Sequence, residues 1–442
     1  MAISPARSAA FDILLRVERE DAFASELLHS QRLEALSAAD HGLTTEIVMG
    51  VLRWRSRLDE AIQPALQRPL AKLDQEVLMA LRMAAYQLRY LSRIPAHAAI
   101  NDSVELVKRA HKRSAAPFVN AVLRKLATEK GEASVAPAPT AAWLAREFAH
   151  PQWMVERWIR EFGFDHARSI CAHDQTVPRT VVRLDDAALE RELEAEGIAL
   201  TPGELLAGAR VVTAGEITRT RAFLQGRVWI QDEASQLVAA LVGGGARLLD
   251  CCAAPGGKTA ALAARNPTAE IIAAELHAHR VELLRKRVHA PNVQVIHADT
   301  LDLPSSGGFD RVLADVPCSG TGTLARNPEI KWRLQPSDLD DLHQRQVAIL
   351  RAALRQVAPS GRVVYSTCSL EREECEAVVD EVLHSHPEFG LCDCRQELQR
   401  LRAAGELVWP ETESLLNRNF LRTIPGLHPC DGFFAAVFAT TA

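Results

Sequence analysis

Two cysteines in this chain are spaced for chemistry. Cys318 lies in "DVPCSGTG" (315–322), three residues after Asp315, directly after a proline and ahead of a loop of small residues. Fifty residues on, Cys368 lies in "YSTCSL". Each follows an apolar run, "FDRVLADV" (309–316) or "GRVVYSTC" (361–368), that reads as a buried strand. Two thiols at two strand ends with a carboxylate between them are equipped for covalent catalysis, in which a thiolate attacks and one difficult step becomes two easier ones. A free cysteine titrates near ~8.5, so an attacking one is expected to be lowered by its surroundings. The residues alone are symmetric between the two thiols. The other cysteines read as reduced, buried side chains. All nine (171, 251, 252, 318, 368, 375, 392, 394, 430) lack the paired spacing of a disulfide framework, and Cys392-x-Cys394 has no second half for zinc, so no metal is expected.

A second constellation surrounds "LLDCCAAPGGKTAAL". A phosphate-binding loop would need glycine five residues before Gly257, where Cys252 stands, and a GxGxxG is also absent. An NTPase is therefore disfavoured. What remains is a small-residue turn that a ligand can approach closely. Glu275 ends the next apolar run, where an acid commonly accepts from a ribose diol. Asp299 ends the third run and could accept from an adenine amino group. Ribose and adenine without a phosphate cradle suggest S-adenosylmethionine. One acid alone would be a helix cap or a surface charge, but acids at successive strand ends are harder to dismiss.

The elements that must carry these residues are legible as patterns. "RLLDCC" (247–252), "EIIAAEL" (270–276), "VQVIHAD" (293–299) and the two cysteine-bearing runs alternate with helical stretches such as "DLDDLHQRQVAILRAALRQV". Near-continuous apolar strands alternating with helices predict a parallel sheet covered on both faces, with ligands beyond the carboxyl ends of its strands. Asp250, Glu275, Asp299, Asp315 and Cys368 sit at those ends. "GFFAAVFAT" would add a last, antiparallel strand. Residues 4–130 read as helix after helix; Ala10, Ile13, Leu14 and Val17 share one face at helical spacing. "GEASVAPAPTAA" (131–142) reads as a linker. The segment 143–225 reads as helical and broken near Pro151, then as a small α/β unit with strands at "RTVVRL" and "ARVVTA" and a capped helix between them.

A chain of 442 residues with 48% apolar and 24% charged residues is an ordinary soluble multidomain protein. The charged first twenty residues lack a signal peptide, and no apolar run approaches the ~20 residues of a membrane helix. The expected location is the cytoplasm, with no membrane partner. The net charge is −5, but residues 1–140 hold 19 Lys+Arg against 16 Asp+Glu. "RWRSR" (53–57), "KRAHKR" (108–113) and "RK" (124–125) are candidate phosphate contacts, with a solvated helix face as the plainer reading of each.

"DCCAAPGGKT", "ADVPCSGTGTLARNPEIKW", "YSTCSLEREE", "DGFFAAVF" and "WIQDEASQLV" together resemble the signature set of RNA (cytosine-5) methyltransferases of the Nop2/Sun family, strongly over 227–442. The helical start, with "PFVNAVLRKL", resembles a NusB-like domain. The resemblance implies three parts: an all-α NusB-like RNA-binding domain (1–133), a small α+β RNA-binding subdomain (143–225), and a Rossmann-like class I S-adenosylmethionine-dependent methyltransferase domain (226–442). It implies cofactor contacts from Cys252, Ala253, Ala254, Pro255, Gly256, Gly257, Lys258, Glu275, Arg280, Asp299 and Asp315. Glu275 replaces the family's usual Asp and keeps the acceptor on an arm one methylene longer. Lys258 would also steady the site electrostatically, unless it is a solvated helix start. Cys251 reads as a small core residue.

The resemblance further implies that Cys368 adds to carbon 6 of cytosine, that Cys318 assists product release, and that Asp315 contacts the base near N3 and its amine. A cysteine after a proline, as in DNA cytosine methyltransferases, would instead favour Cys318. The base must be unstacked or flipped to react. The implied substrate is 16S ribosomal RNA rather than DNA, and the chain is expected to be a monomer. Arg326, Lys331 and Trp332, beside the active loop, are expected to touch the nucleotide chain, with a core role as the alternative for Trp332. Deleting residues 1–130 is expected to weaken RNA binding and spare cofactor binding. Methylation of another RNA (a transfer RNA or large-subunit RNA), or a non-catalytic NusB-like RNA-binding factor, are the competing readings; intact cofactor and thiol motifs argue against the latter.

Overall fold

A computed structural model describes residues 3–30, 33, 35–128, 139–184, 186–304 and 308–441. Residues 131–138 of the expected linker lie outside the described residues. The chain forms two compact units: residues 1–177 with 324–333, and residues 178–323 with 334–442.

The first unit is helical throughout its described residues. Helix Pro5–Arg19 opens with proline in its first turn and buries Ala10, Ile13, Leu14 and Val17, the face its spacing predicts. These pack with Ile47, Val48, Val51, Leu81, Met83, Val119 and Leu123 from helices Ala38–Arg53, Gln75–Tyr90 and Ala116–Thr128 in one core. Helices Ala141–Glu147 and Gln152–Phe162, split at Pro151 as the sequence suggests, and Phe164–His173 also belong to this unit.

The second member of the unit, 324–333, was unexpected. Lys331, read from sequence as a nucleotide contact, is buried: its Nζ donates to the carbonyls of Arg53 and Ala149, each at 3.1 Å. Trp332 is half-buried, and its Nε1 donates to Leu52 O at 2.6 Å. Glu329 accepts from Ala24 N at 2.8 Å, and Arg333 donates to Val17 O and Ala22 O, each at 2.6 Å. The Lys331 ammonium is consumed by backbone carbonyls, so Lys331 is not available to RNA. Deleting 1–130 would strip these partners away and is not the clean test the sequence suggests.

The basic clusters are likewise mostly engaged. Arg53 is buried and donates to Ala325 O at 2.9 Å; Arg55 pairs with Glu18 at 2.9 Å and Arg57 with Glu60 at 3.0 Å. Lys108, Arg109 and Lys112 pair with Glu105, Asp12 and Asp74.

The second unit holds two sheets. The small one is formed by β1 (Thr180–Arg183), β2 (Ala199–Pro202), β3 (Ala209–Ala214) and β4 (Trp229–Ile230), in the antiparallel order β2-β3-β1-β4. β1, β3 and the helix Ala187–Ala195 were legible in the sequence; Asp186 caps that helix by accepting from Ala188 N at 2.8 Å. β2, "ALTP", is short and mostly exposed and carries no alternation to reveal it.

The large sheet contains β5 (Arg247–Asp250), β6 (Glu270–Glu275), β7 (Val293–His297), β8 (Phe309–Asp315), β9 (Val357–Thr367), β10 (Phe389–Cys392), β11 (Leu416–Asn417), β12 (Phe420–Thr423) and β13 (Phe433–Thr440). Its order is β7-β6-β5-β8-β9-β13-β12-β11, with β10 also on β13. β5 to β9 are parallel; β13 returns antiparallel to β9, as expected of the closing segment. Successive residues of a strand face opposite ways. Leu248, Leu313, Val364 and Val437 pack with Leu237, Leu241 and Leu262 on one side, while Leu249, Val312, Val363 and Phe434 pack with Val347, Leu350 and Val379 on the other. Two apolar faces explain the unbroken apolar runs. The order reverses between β5 and β8, which makes the crevice beyond those strand ends the place for a ligand.

Candidate active site

The turn after β5 is built by small residues. Gly256 adopts φ 107°, a left-handed conformation, and a Cβ there would lie 2.8 Å from Val288 Cγ2. Helix Gly257–Arg265 starts at once. Ala253 N donates to Ala274 O at 3.0 Å and Thr300 Oγ1 to Cys251 O at 2.5 Å, which ties residues 251–253 to the ends of the neighbouring strands. Cys251 is buried, as a small core residue should be, and Cys252 is half-buried. Burial holds both thiols above the ordinary range.

Asp250 is buried at the end of β5. Its Oδ2 accepts from Thr259 Oγ1 at 2.7 Å, while among the described residues its Oδ1 has no hydrogen-bond partner. Burial pushes this carboxyl up to about 6, although the Thr259 hydrogen bond opposes the shift. Glu275 is buried at the end of β6, and its Oε1 accepts from His277 N at 2.9 Å. Asp299, after β7, accepts from Leu301 N at 2.9 Å and is half-buried. The three acids thus line successive strand ends. Arg280 stands apart: it is exposed in the first turn of helix Ala278–Arg287, and among the described residues it makes no ion pair with them.

β8 and β9 bring the thiols together. They are parallel neighbours in which Asp315 is opposite Ser366, so the chains leave the sheet side by side. Cys318 Sγ and Cys368 Sγ lie 3.2 Å apart, both free and half-buried. Asp315 Oδ1 accepts from Ser366 Oγ at 2.7 Å, and its Oδ2 pairs with Lys258 Nζ at 2.8 Å. Lys258 is therefore no solvated helix start; its ammonium also sits 4.9 Å above the ring of Phe433. Burial works against that charge, but the Asp315 carboxylate and its hydrogen bond outweigh it, so Lys258 is held above its ordinary value.

One expectation is reversed. Cys368 is not lowered. The hydrogen bond with Cys318, then burial and the Asp315 charge, push its thiol well up, and Lys258 offsets this only in part. Beside a carboxylate and a second thiol, the neutral thiol is the favoured form.

The sequence reading also missed Glu374, the last acid of "YSTCSLEREE". It is buried behind both thiols; its Oε1 accepts from Ser319 N and Gln346 Nε2, each at 2.8 Å, and its Oε2 from the hydroxyls of Ser319 and Ser369. The clue available was an acid at fixed distance after a cysteine motif, which by itself reads as surface charge. Among the described residues no cluster of His, Cys, Asp and Glu could hold a metal ion, and no helix is long and apolar enough to cross a membrane.

Comparison with known proteins assigns each part of the chain to a family. Residues 242–439 match the family model described as 16S rRNA methyltransferase RsmB/F, residues 4–128 match the NusB family, and residues 150–215 match an RsmF/B-like ferredoxin-like domain. Fold and site therefore define a methyltransferase with a mixed-sheet catalytic domain, a ferredoxin-like segment and a NusB-like helical start. The chain is 34% identical over 443 residues to the probable ribosomal RNA small subunit methyltransferase B of Bacillus subtilis, covering 97% of each chain. It is 30% identical over 456 residues to a protein of the same description from Synechocystis, covering 98% of each. The crystal structure of PH0851 shares the fold with a TM-score of 0.80 at 22% identity, covering 100% of each chain. The chain belongs to the ribosomal RNA small subunit methyltransferase B family.

Proposed function

We propose that this protein transfers a methyl group from S-adenosylmethionine to carbon 5 of a cytosine in 16S ribosomal RNA, with Cys368 as nucleophile and Cys318 as the residue of product release. The observation that carries the reading is the pair of free thiols 3.2 Å apart beside the Asp315–Lys258 ion pair.

The residues at the first three strand ends fit the donor. The turn 252–258 offers backbone to a close ligand, Glu275 stands where a ribose diol would be held, and Asp299 where an adenine amine would be. Arg280 and Asp315 complete the set that the resemblance implies. The buried, unpartnered Asp250 Oδ1 is an acceptor still to be satisfied. S-adenosylmethionine, when bound, supplies an electrophilic methyl group.

Carbon 5 of cytosine is a poor nucleophile until conjugation is broken. Cys368 first gives up its proton to solvent; its sulfur then bonds carbon 6, and the C5–C6 π pair moves onto carbon 5. Asp315, paired with Lys258, orients the base near N3 by accepting from its exocyclic amine and stabilises the adduct. Once carbon 5 bears the methyl group it still carries its proton. Cys318, as or through a base, takes that proton; the C–H pair re-forms the C5–C6 double bond, the C6–S bond breaks, and the sulfur pair returns to Cys368. A thiol 3.2 Å from the departing sulfur is positioned for that step. The high resting position of Cys368 supports a thiol in the free protein that must ionise for reaction.

The names of the relatives and the RNA-directed character of NusB-like domains support a ribosomal RNA substrate. The test is to incubate the full chain with unmodified 16S RNA and S-adenosylmethionine, digest to nucleosides, and look for 5-methylcytidine. Its appearance only with both components supports the reading. A methylated nucleoside of another kind, transfer only to another RNA, or cofactor binding without transfer overturns it.

A further inference from the structure

We propose that Glu374 is a positioning residue that holds the two cysteine loops in register, so that one thiol can attack and the other stand ready for release; this rests on the reading above. The two loops come from different strands and have no covalent tie. One buried carboxylate spans them. Ser319 directly follows Cys318, and Ser369 directly follows Cys368. Glu374 Oε1 fixes the first loop through Ser319 N, and its Oε2 takes the hydroxyls of Ser319 and Ser369, the latter at 2.5 Å. The two serine oxygens lie 3.1 Å apart, almost the spacing of the thiols themselves.

The carboxylate is itself held from behind. Gln346 Nε2 donates both to Glu374 Oε1 at 2.8 Å and to Pro317 O at 2.9 Å, so helix Asp338–Leu354 grips the residue before Cys318 as well. Tyr365 Oη, within β9, donates to the Glu374 carbonyl at 2.6 Å. Glu374 has no exposure and does not touch either sulfur, so it acts through its neighbours. Four donors converge on two oxygens, and all four belong to residues adjacent to a thiol or bracing one. Ordinary packing would be served by an apolar residue without the cost of burying a polar side chain. Placement of the thiols is what the carboxylate adds.

The test compares Glu374→Ala, Glu374→Gln and wild type as full chains. Two readouts are used: thiol proximity and methyl transfer. Proximity is read without substrate by treating each protein with diamide. Two S–H bonds break, one S–S bond forms, and both hydrogens pass to the azo group; peptide mass spectrometry then quantifies the Cys318–Cys368 link. Glutamine keeps Oε1 as acceptor, and its amide can donate to the two hydroxyls, which turn to accept. We expect Glu374→Gln to recover most of the wild-type rate in both assays. Glu374→Ala should form the link at least tenfold more slowly and lose ~10²-fold in kcat, the usual effect of a misplacement near 1 Å, with KM for cofactor and RNA little changed. If the alanine variant does not fold, Ser319→Ala combined with Ser369→Ala removes both Oε2 contacts, together with the Ser369 bonds to Glu371 N and Thr321 Oγ1, keeps the Oε1 contacts and should move both readouts the same way. A link rate equal to wild type in the alanine or double-serine variant, or equal loss in kcat and cofactor affinity, overturns the proposal. If the link rates follow the expected order but wild type makes no 5-methylcytidine, the functional reading fails while the positioning role stands.

Discussion

Gly322 offers a quantitative test of how tightly the two cysteine loops are laced. Its N–H donates to Cys368 O at 2.8 Å, and its carbonyl accepts from Gly432 N at 2.8 Å. A Cβ at 322 would lie 2.2 Å from Gly432 O and 2.8 Å from Cys368 O, where ordinary contact begins at 3.4 Å. Both obstacles are backbone, so no rotamer relieves them; the loops must separate by about 1 Å. At ~1 kcal/mol for each hydrogen bond, Gly322→Ala should cost about 2 kcal/mol before strain is counted. The larger effect falls on rate, because the residue displaced is Cys368, the proposed nucleophile: kcat should fall ~10²-fold. Affinity for S-adenosylmethionine should stay within about threefold, since the turn at 251–257 and the ends of β6 and β7 share no hydrogen bond with Gly322. Methyl transfer kinetics, calorimetric cofactor binding and thermal unfolding measure the three quantities. Wild-type kcat in Gly322→Ala, or equal loss of cofactor binding and rate, would refute the reasoning.

Three further outcomes follow from the same site and its surroundings. Because Cys368 is held well above the ordinary thiol range, iodoacetamide should label it slowly in the free protein near pH 7.5 and faster as pH rises; complete labelling at neutral pH contradicts that. Lys258→Met removes the charge that favours the Cys368 thiolate, so the rise of kcat/KM with pH should move to higher pH and the neutral-pH rate should drop ~10-fold or more; an unmoved pH profile contradicts the electrostatic role. Burial pushes Lys331 down to about 7, so this lysine binds fewer protons folded than unfolded, and its penalty is fully present below 7 and fades as pH rises from about 7 toward 10.5. Relative to Lys331→Met, wild type should therefore gain about 2 kcal/mol in urea stability between pH 7 and pH 9 at 1.36 kcal/mol per unit, with RNA affinity unchanged; a constant stability gap, or a loss of RNA binding alone, argues against the buried placement.

Much of the catalytic sheet was legible because its strands are buried on both faces, so Leu248–Leu249, Val312–Leu313 and Val363–Val364 read as continuous apolar runs ending in acids or cysteines. The strand-end rule then located the site. What escaped was set by long-range packing. Residues 324–333 follow the Cys318 loop directly and carry Arg326, Lys331 and Arg333, so composition reads them as an RNA-facing strip. They belong instead to the helical unit, where Lys331 finds two carbonyls more than 180 residues away in sequence. β10, β11 and β12 are two to four residues long and lack a period to detect. Glu374 was missed for a related reason: of the three acids in "EREE", only the fold determines which one reaches the loops of both thiols. The state of Cys368 was misjudged because its neighbours, a second thiol and a carboxylate, count against ionisation once all are desolvated together.

The most direct measurement is covalent trapping. Purified Cys318→Ala and Cys368→Ala proteins are incubated separately with S-adenosylmethionine and unmodified small-subunit RNA and run on denaturing gels. The account predicts that Cys318→Ala accumulates a protein–RNA adduct and Cys368→Ala does not. An adduct in Cys368→Ala but not in Cys318→Ala would exchange the two roles and contradict the assignment of Cys368 as nucleophile.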